Sequence, residues 1–474
     1  MNAQAEGGNN QAAPDSFYVA HSKIYPREVK GRYASLRNLA AWVLLGIYYV
    51  LPWIPWDDRQ AVLFDLPARK FYIFGLTFWP QDFFLMAWLL IIAALTLFFV
   101  TAIAGRLWCG YACPQTVWTE AFLWMERITE GNHSQRRKLD QGPWTRDKVL
   151  RKGAKQFLWI GFALWTGFTF VAYFTPAREL GPKLLSFSAG PWETFWVLFY
   201  GFATYGNAGL LREQVCKYMC PYARFQSAMF DKDTMIISYD EKRGEPRGRR
   251  KRSVDPRAAG LGDCIECSMC VQVCPTGIDI REGLQIECIA CAACVDVCND
   301  VMDKMDYPRG LIRYSTHHAM EEQQPVRVLR PRVMIYGALL LALLIGFGVA
   351  VANRSTLIVD VIRDRNTLYR ELPGGFIENV YTVTFVNKTE AERRYQLSAS
   401  GLEGIELSLD ASLPLISAPG EVRRVPVRLR VPADAVPPGG AEVTLFVEAV
   451  GAVPTTIERN TPFLGPADSR GGSR

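Results

Sequence analysis

Histidine is scarce in this chain: His21, His133, His317 and His318 are the only four in 474 residues, and none falls in a long apolar run. A membrane-embedded b-type haem with two axial histidines from one chain is thereby excluded. Cysteine is absent after Cys298, so the C-terminal region beyond residue 354, which also lacks histidine, has no cysteine- or histidine-ligated metal site. The long apolar runs contain no Asp, Glu, Lys, Arg or His, which disfavours a proton pump or an ion-coupled transporter. The first 37 residues lack the short apolar core and small-residue cleavage site of a signal peptide. No basic face interleaved with aromatics is present, so nucleic acid is not an expected partner and the net charge of +6 is read through loop topology.

What the chain does have is twelve cysteines, all at motif spacing. Eight form two copies of Cys-x2-Cys-x2-Cys-x3-Cys: Cys264, Cys267, Cys270 and Cys274, then Cys288, Cys291, Cys294 and Cys298. This is the run of bacterial two-cluster ferredoxins, in which three thiolates of one motif and the fourth of the other hold each 4Fe-4S cluster. By that rule Cys264, Cys267, Cys270 and Cys298 hold one cluster, and Cys274, Cys288, Cys291 and Cys294 the other. A zinc site or disulfides are the alternatives, but zinc sites usually pair Cys-x2-Cys units without the third and fourth cysteines at these spacings. Asn299 stands where the second motif would have proline, which bears on loop shape and not on ligation.

The other four cysteines sit in two Cys-x3-Cys-Pro motifs, Cys109 and Cys113 before Pro114, and Cys216 and Cys220 before Pro221. Each lies just past the end of an apolar run, at the same expected height in a bilayer, so four thiolates are expected to converge on one site at the membrane face. Soft thiolates favour copper(I), zinc or iron-sulfur clusters; a redox-active disulfide within each pair, and buried helix-end cysteines without chemistry, are the competing readings. If each segment is helical, the two sulfurs share one helix face. His317 and His318, with Met320, form a candidate accessory copper site, against which stands a solvated pair on a loop.

Five apolar runs, 38–56, 83–105, 156–177, 194–211 and 333–353, approach the ~20 residues that cross a bilayer as a helix; the 71–81 run is too short and reads as interfacial. The 106–155 loop carries ten Lys or Arg, against three in 52–82 and two in 176–193, which predicts a cytoplasmic N-terminus and cysteine-rich insert and a periplasmic C-terminus. The 242–252 segment, with seven basic residues among Gly and Pro, reads as a flexible loop able to bind anionic lipid or an acidic electron donor, or as an ordinary positive-inside anchor. After residue 353 the period changes to two, in 381–386, 394–399, 425–431 and 442–447, with turn signals between, which predicts an immunoglobulin-like β-sandwich. The expected organisation is a multidomain membrane protein: a cytoplasmic tail (1–37), four transmembrane helices (38–211), a cytoplasmic ferredoxin-type domain (212–332), a fifth span (333–353) and a periplasmic sandwich (354–474).

With these parts in this order the chain resembles the membrane polyferredoxins called cytochrome c oxidase accessory proteins, the FixG, RdxA and CcoG group. Quinol-dehydrogenase subunits of nitrate and nitrous-oxide respiration look similar in the cysteine motifs but typically lack the sandwich. The resemblance implies a role in assembly of cbb-type oxidases with copper(II) as substrate, reduced to copper(I). It implies two 4Fe-4S clusters on the eight ferredoxin cysteines, with Cys109, Cys113, Cys216 and Cys220 as the membrane-face cysteines. Expected partners are membrane lipid, a cytoplasmic electron donor, and oxidase subunits or copper chaperones, with a homodimer allowed. Two other functions stay in competition: an electron conduit to the quinone pool, and a non-redox scaffold with structural clusters.

Overall fold

The computed structural model describes residues 23–466 apart from 257, 323–324, 365–366, 410–414 and 451–454; the expected N-terminal tail lies largely outside them. The described residues fall into two compact units, one drawn from 1–78 and 89–343 and the other from 79–88 and 344–474.

Three helical stretches are long and apolar enough to cross a membrane: Arg32–Trp53, Pro80–Ala104 and Pro331–Ala352. The other two runs behave differently. The 156–177 run occupies the later turns of a 26-residue helix, Arg146–Val171, whose start is charged. The 194–211 run is α-helical only over Pro191–Thr204 and then widens to π over Tyr205–Leu211, where two glycines offer little resistance to the wider turn. These two helices pack backbone to backbone: a Cβ on Gly167 would lie 2.1 Å from the Val197 carbonyl oxygen. The 71–81 run, expected to be interfacial, forms two short strands. Lys70–Ile73 is the central strand of a three-stranded sheet, antiparallel to Val62–Asp65 on one side and to Leu76–Phe78 on the other.

The cysteine-rich insert is closed at its base by two antiparallel strands, Ile236–Tyr239 and Ile312–Ser315. Between them lie the short helix Met269–Gln272 and the longer Ala293–Met305. Its apolar core is small, built on Ile237, Ile280, Val295, Met302, Leu311 and Ile312, with Cys264 and Cys270 packed among them.

The second unit contains two antiparallel sheets. One orders Glu406–Leu409, Val422–Pro432, Phe376–Asn387 and Leu357–Arg363, with Arg370–Leu372 also on Phe376–Asn387; the other orders Leu415–Ser417, Arg393–Ser400, Ala441–Val450 and Thr455–Phe463. Alternation puts Tyr381, Val383, Phe385, Val425, Val427, Leu429, Val443, Leu445 and Val447 into one core, each at most 1% exposed. Burying each such side chain stabilises by roughly 1.5–3 kcal/mol. In the same unit Asp82 and Lys388 form a buried ion pair at 2.5 Å, and the Trp79 indole donates to the Lys388 carbonyl at 3.0 Å.

Candidate metal centres

Cys264, Cys267, Cys270 and Cys298 line one small cavity of the insert. Cys274, Cys288, Cys291 and Cys294 line a second, with Cys270 on the wall common to both. The helix Ala293–Met305 supplies Cys294 to one and Cys298, a turn later, to the other. The backbone repeats with the motif. The residues flanking the second cysteine of each copy, Glu266 and Ser268 beside Cys267, Ala290 and Ala292 beside Cys291, all hold φ between 52° and 58°. Non-glycine residues avoid this left-handed region, so four of them at matching places mark a loop shape held by its surroundings. Successive amides in such a conformation form a concavity that suits an anionic group. Burial pushes the Cys288 and Cys298 thiols up to about 12 and Cys270 up to about 11, and raises Cys291 and Cys294 as well. Thiols this reluctant to ionise alone become thiolates when a metal supplies the opposing charge. The donor set, the repeated loop and the shared helix fit iron-sulfur clusters. Of the eight cysteines only Cys267 is exposed.

The two Cys-x3-Cys-Pro motifs come together, and hydrogen bonds cross-link them in both directions. Cys109 lies in the short helix Leu107–Tyr111, while Cys113 leaves it to cap the helix Pro114–Glu130. Cys216 lies in a π turn, Val215–Met219, and Cys220 caps the helix Pro221–Ala228. Neither motif is one continuous α-helix, because proline at the first helical position favours an extended residue before it. Gln115, just past the first motif, donates to the carbonyls of Asn207 (2.8 Å) and Arg212 (3.0 Å), which lead into the second. In return Gln226, fully buried on the second motif's helix, accepts from the Cys109 thiol at 3.3 Å. The four sulfurs act on one another electrostatically: Cys109 feels Cys113, Cys216 and Cys220, and Cys216 feels Cys113 and Cys220. Burial again raises these thiols, Cys109 to about 12 and Cys216 to about 11, with Cys113 also up.

This four-thiol site abuts the second ferredoxin cavity. A Cβ on Gly110 would lie 2.7 Å from the Ile289 carbonyl oxygen and 2.9 Å from Cys291 Cα, so the first motif's backbone rests directly on the cavity's loop. Arg106, 5% exposed, donates to the carbonyls of Ile286 and Ala223 and, at 3.5 Å, Cys288. It faces Cys109, Cys216 and Cys288 electrostatically. Arg37 donates to the Cys291 carbonyl, and Tyr111 reaches Tyr314, whose hydroxyl donates to the Ala290 carbonyl at 2.6 Å.

Several supporting residues left no motif in the sequence. Glu126, 1% exposed, binds Arg136 at 3.0 Å and Arg212 at 3.1 Å. Arg212 in turn donates to the Gly209 carbonyl, fixing the approach to Cys216. Burial pushes the Glu126 carboxyl up, but Arg212, Arg136, Lys23 and Lys155 more than offset this and hold it below the usual range. Acidic spacing on the Pro114–Glu130 helix was the available signal, with no indication of which cations it would meet. Asp296, between two cluster cysteines, accepts from the Tyr33 and Ala34 amides (3.2 and 2.7 Å) and so caps the helix Arg32–Val50. The 242–252 segment is not a free basic loop: Arg243 binds Asp263, Arg250 meets Tyr307, and Arg252 binds Asp306. His317 and His318 lie on a short helix and not a loop; His318 bonds Asp233 at 2.9 Å and His317 bonds Glu321 at 3.0 Å.

Comparison with known proteins agrees with this geometry. A family model described as "4Fe-4S dicluster domain" matches residues 211–317, one described as "4Fe-4S binding domain" matches 86–130, and one described as "IG-like fold at C-terminal of FixG" matches 347–466. Nitrogen fixation protein FixG of Rhizobium meliloti is 37% identical over 94% of this chain and 91% of its own length. Proteins RdxB and RdxA of Cereibacter sphaeroides are 42% and 39% identical over 83% and 85% of this chain, and 85% and 87% of theirs. With two separate 4Fe-4S-binding matches, an immunoglobulin-like C-terminal match and near-full-length similarity, this chain belongs to the FixG, RdxA and RdxB family of iron-sulfur proteins.

Proposed function

We propose that this chain is a membrane-bound electron-transfer protein that reduces copper(II) to copper(I) for assembly of a cbb-type haem-copper oxidase. The observation that carries the reading is the sequence of sites. It runs from the exposed Cys267, through the two cavities that share Cys270, to Gly110 and the four thiols against Cys291. In this reading Cys264, Cys267, Cys270 and Cys298 hold one 4Fe-4S cluster and Cys274, Cys288, Cys291 and Cys294 the other. The clusters, when bound, supply one-electron storage and exchange. A cytoplasmic one-electron donor docks at the Cys267 face. The protein's own residues keep the interior free of competing ligands, hold Arg106 between the sites as compensating positive charge, and present four soft sulfurs at the membrane face. Each copper(II) takes one electron and becomes copper(I), the state that thiolates prefer. The topology belongs to the same reading: five spans, with the N-terminus and insert cytoplasmic and the sandwich periplasmic, where it docks oxidase subunits or a copper chaperone.

The test uses the full chain, purified anaerobically in detergent, reduced with dithionite and desalted, with copper(II) added under EPR. The copper(II) signal should vanish in proportion to the reducing equivalents held. A Cys109, Cys113, Cys216 and Cys220 to Ser variant should keep the ferredoxin signals and react slowly. Copper(II) that persists beside fully reduced protein overturns the reading.

One observation favours exchange with the quinone pool as a second reading. A cavity of about 150 Å³ is bordered by Cys291 and Cys216 and by Arg37, Asn38 and Ala41 of the first candidate membrane helix. Oxidation of the reduced protein by a soluble quinone, with copper(II) inert, would put that reading first.

A further inference from the structure

We infer that Cys109, Cys113, Cys216 and Cys220 bind a third iron-sulfur cluster. The inference deepens the electron-transfer reading and rests on it for the cluster's role, though not for its existence.

Three observations carry it. The "4Fe-4S binding domain" match over residues 86–130 contains only two cysteines, Cys109 and Cys113, half of the four thiolates such a cluster takes. The fold supplies the other half: Gln115 and Gln226 tie the two motifs together, and all four sulfurs act on one another.

Charge suits such a cluster. An iron-sulfur cluster on four thiolates is anionic, and the site is arranged for an anion. Cys113 and Cys220 each cap the N-terminus of a helix, Pro114–Glu130 and Pro221–Ala228, where the helix dipole favours negative charge. The buried Arg106 guanidinium faces Cys109 and Cys216. The Gln226 amide is within reach of Cys109; with its amide rotated it donates N–H to a thiolate, a kind of bond that adjusts cluster potential.

The experiment is a metal count on the full chain. Protein isolated anaerobically in detergent is assayed for iron, acid-labile sulfide, copper and zinc, and Mössbauer spectra of iron-57-labelled protein divide the iron by cluster. A third 4Fe-4S cluster brings iron to about twelve per chain, where two give about eight. Cys220→Ser, and separately Cys109→Ser, should lower iron by about a third and remove one Mössbauer component while the ferredoxin components stay. The wild-type count does not depend on whether a variant folds. About eight irons with the four thiols free to alkylation, or one copper or zinc per chain lost on Cys220→Ser, overturns the inference. If iron stops at about eight while copper(II) reduction still requires the four thiols, the third cluster fails and the reductase reading stands. If iron reaches about twelve and copper(II) is not reduced, the third cluster stands and the reductase reading fails.

Discussion

Gly110 is the point at which the membrane-face motif touches the ferredoxin insert, and Gly110→Ala tests whether that contact matters. The added Cβ would sit 2.7 Å from the Ile289 carbonyl oxygen, 2.9 Å from Cys291 Cα and 3.0 Å from Cys291 N. All three are backbone atoms of a loop held by its own cysteines, so no side chain can swing away. One of the two loops must shift by several tenths of an ångström. Overpacking of this kind typically costs 1–3 kcal/mol; about 2 kcal/mol changes the docked-to-undocked ratio by a factor of about 30. The matched control is Gly153→Ala on the helix Arg146–Val171, where a Cβ meets nothing within 4 Å and helix propensity predicts a gain of roughly 0.5–1 kcal/mol. Hydrogen exchange across residues 286–316 should rise in Gly110→Ala and not in the control, and copper(II) reduction should slow with iron content unchanged. Equal exchange and equal rates in the two variants would refute the claim that the motif and the insert work as one unit.

Glu126→Ala leaves Arg136 and Arg212 buried without their shared carboxylate and should destabilise the chain by about 3–5 kcal/mol, read as a lower midpoint in thermal unfolding. Because the folded Glu126 carboxyl is held below its usual range, its contribution is fully present above the unfolded value, about 4.3. It is lost as pH falls through the lower folded value, so the midpoint should decline below about pH 4 in the wild type and less steeply in Glu126→Gln. Lys388→Met leaves Asp82 in the second unit with its longer contact to Arg354 at 3.8 Å, and both members of the lost pair are less than 5% exposed, so it should destabilise by up to about 3 kcal/mol; limited proteolysis of residues 347–466 in the full chain would register it. Removal of iron by a chelator should make residues 240–316 protease-sensitive, since the insert's apolar core is thin and metal binding there is folding energy. The cysteine-free sandwich should keep its resistance.

The local patterns were legible because they are written at short range. Cysteine spacing within a loop of a dozen residues identified the ferredoxin-type insert, and period-two alternation in 381–386 and 425–431 marked strands that run in register as Phe376–Asn387 against Val422–Pro432. Apolar length located the helices that begin at Arg32, Pro80 and Pro331. Length did not distinguish the 194–211 run, because hydropathy is blind to the change from α to π that its glycines permit. The strands in and before the 71–81 run were not legible for a related reason: three short strands need partners, and pairing is invisible until the chain turns back on itself.

The sequence by itself determined which chemistry the chain carries, since twelve thiols at two kinds of spacing restrict the donors and their loops whatever surrounds them. Only the tertiary structure decided which donors meet. Cys109 and Cys216 are more than a hundred residues apart, and Gln115, Gln226 and Arg212 bring them together through single hydrogen bonds that leave no periodic trace. The same holds for Asp296 capping a distant helix and for Gly110 resting on Cys291. Such contacts depend on packing and burial, and those exist only after the elements have been placed against one another.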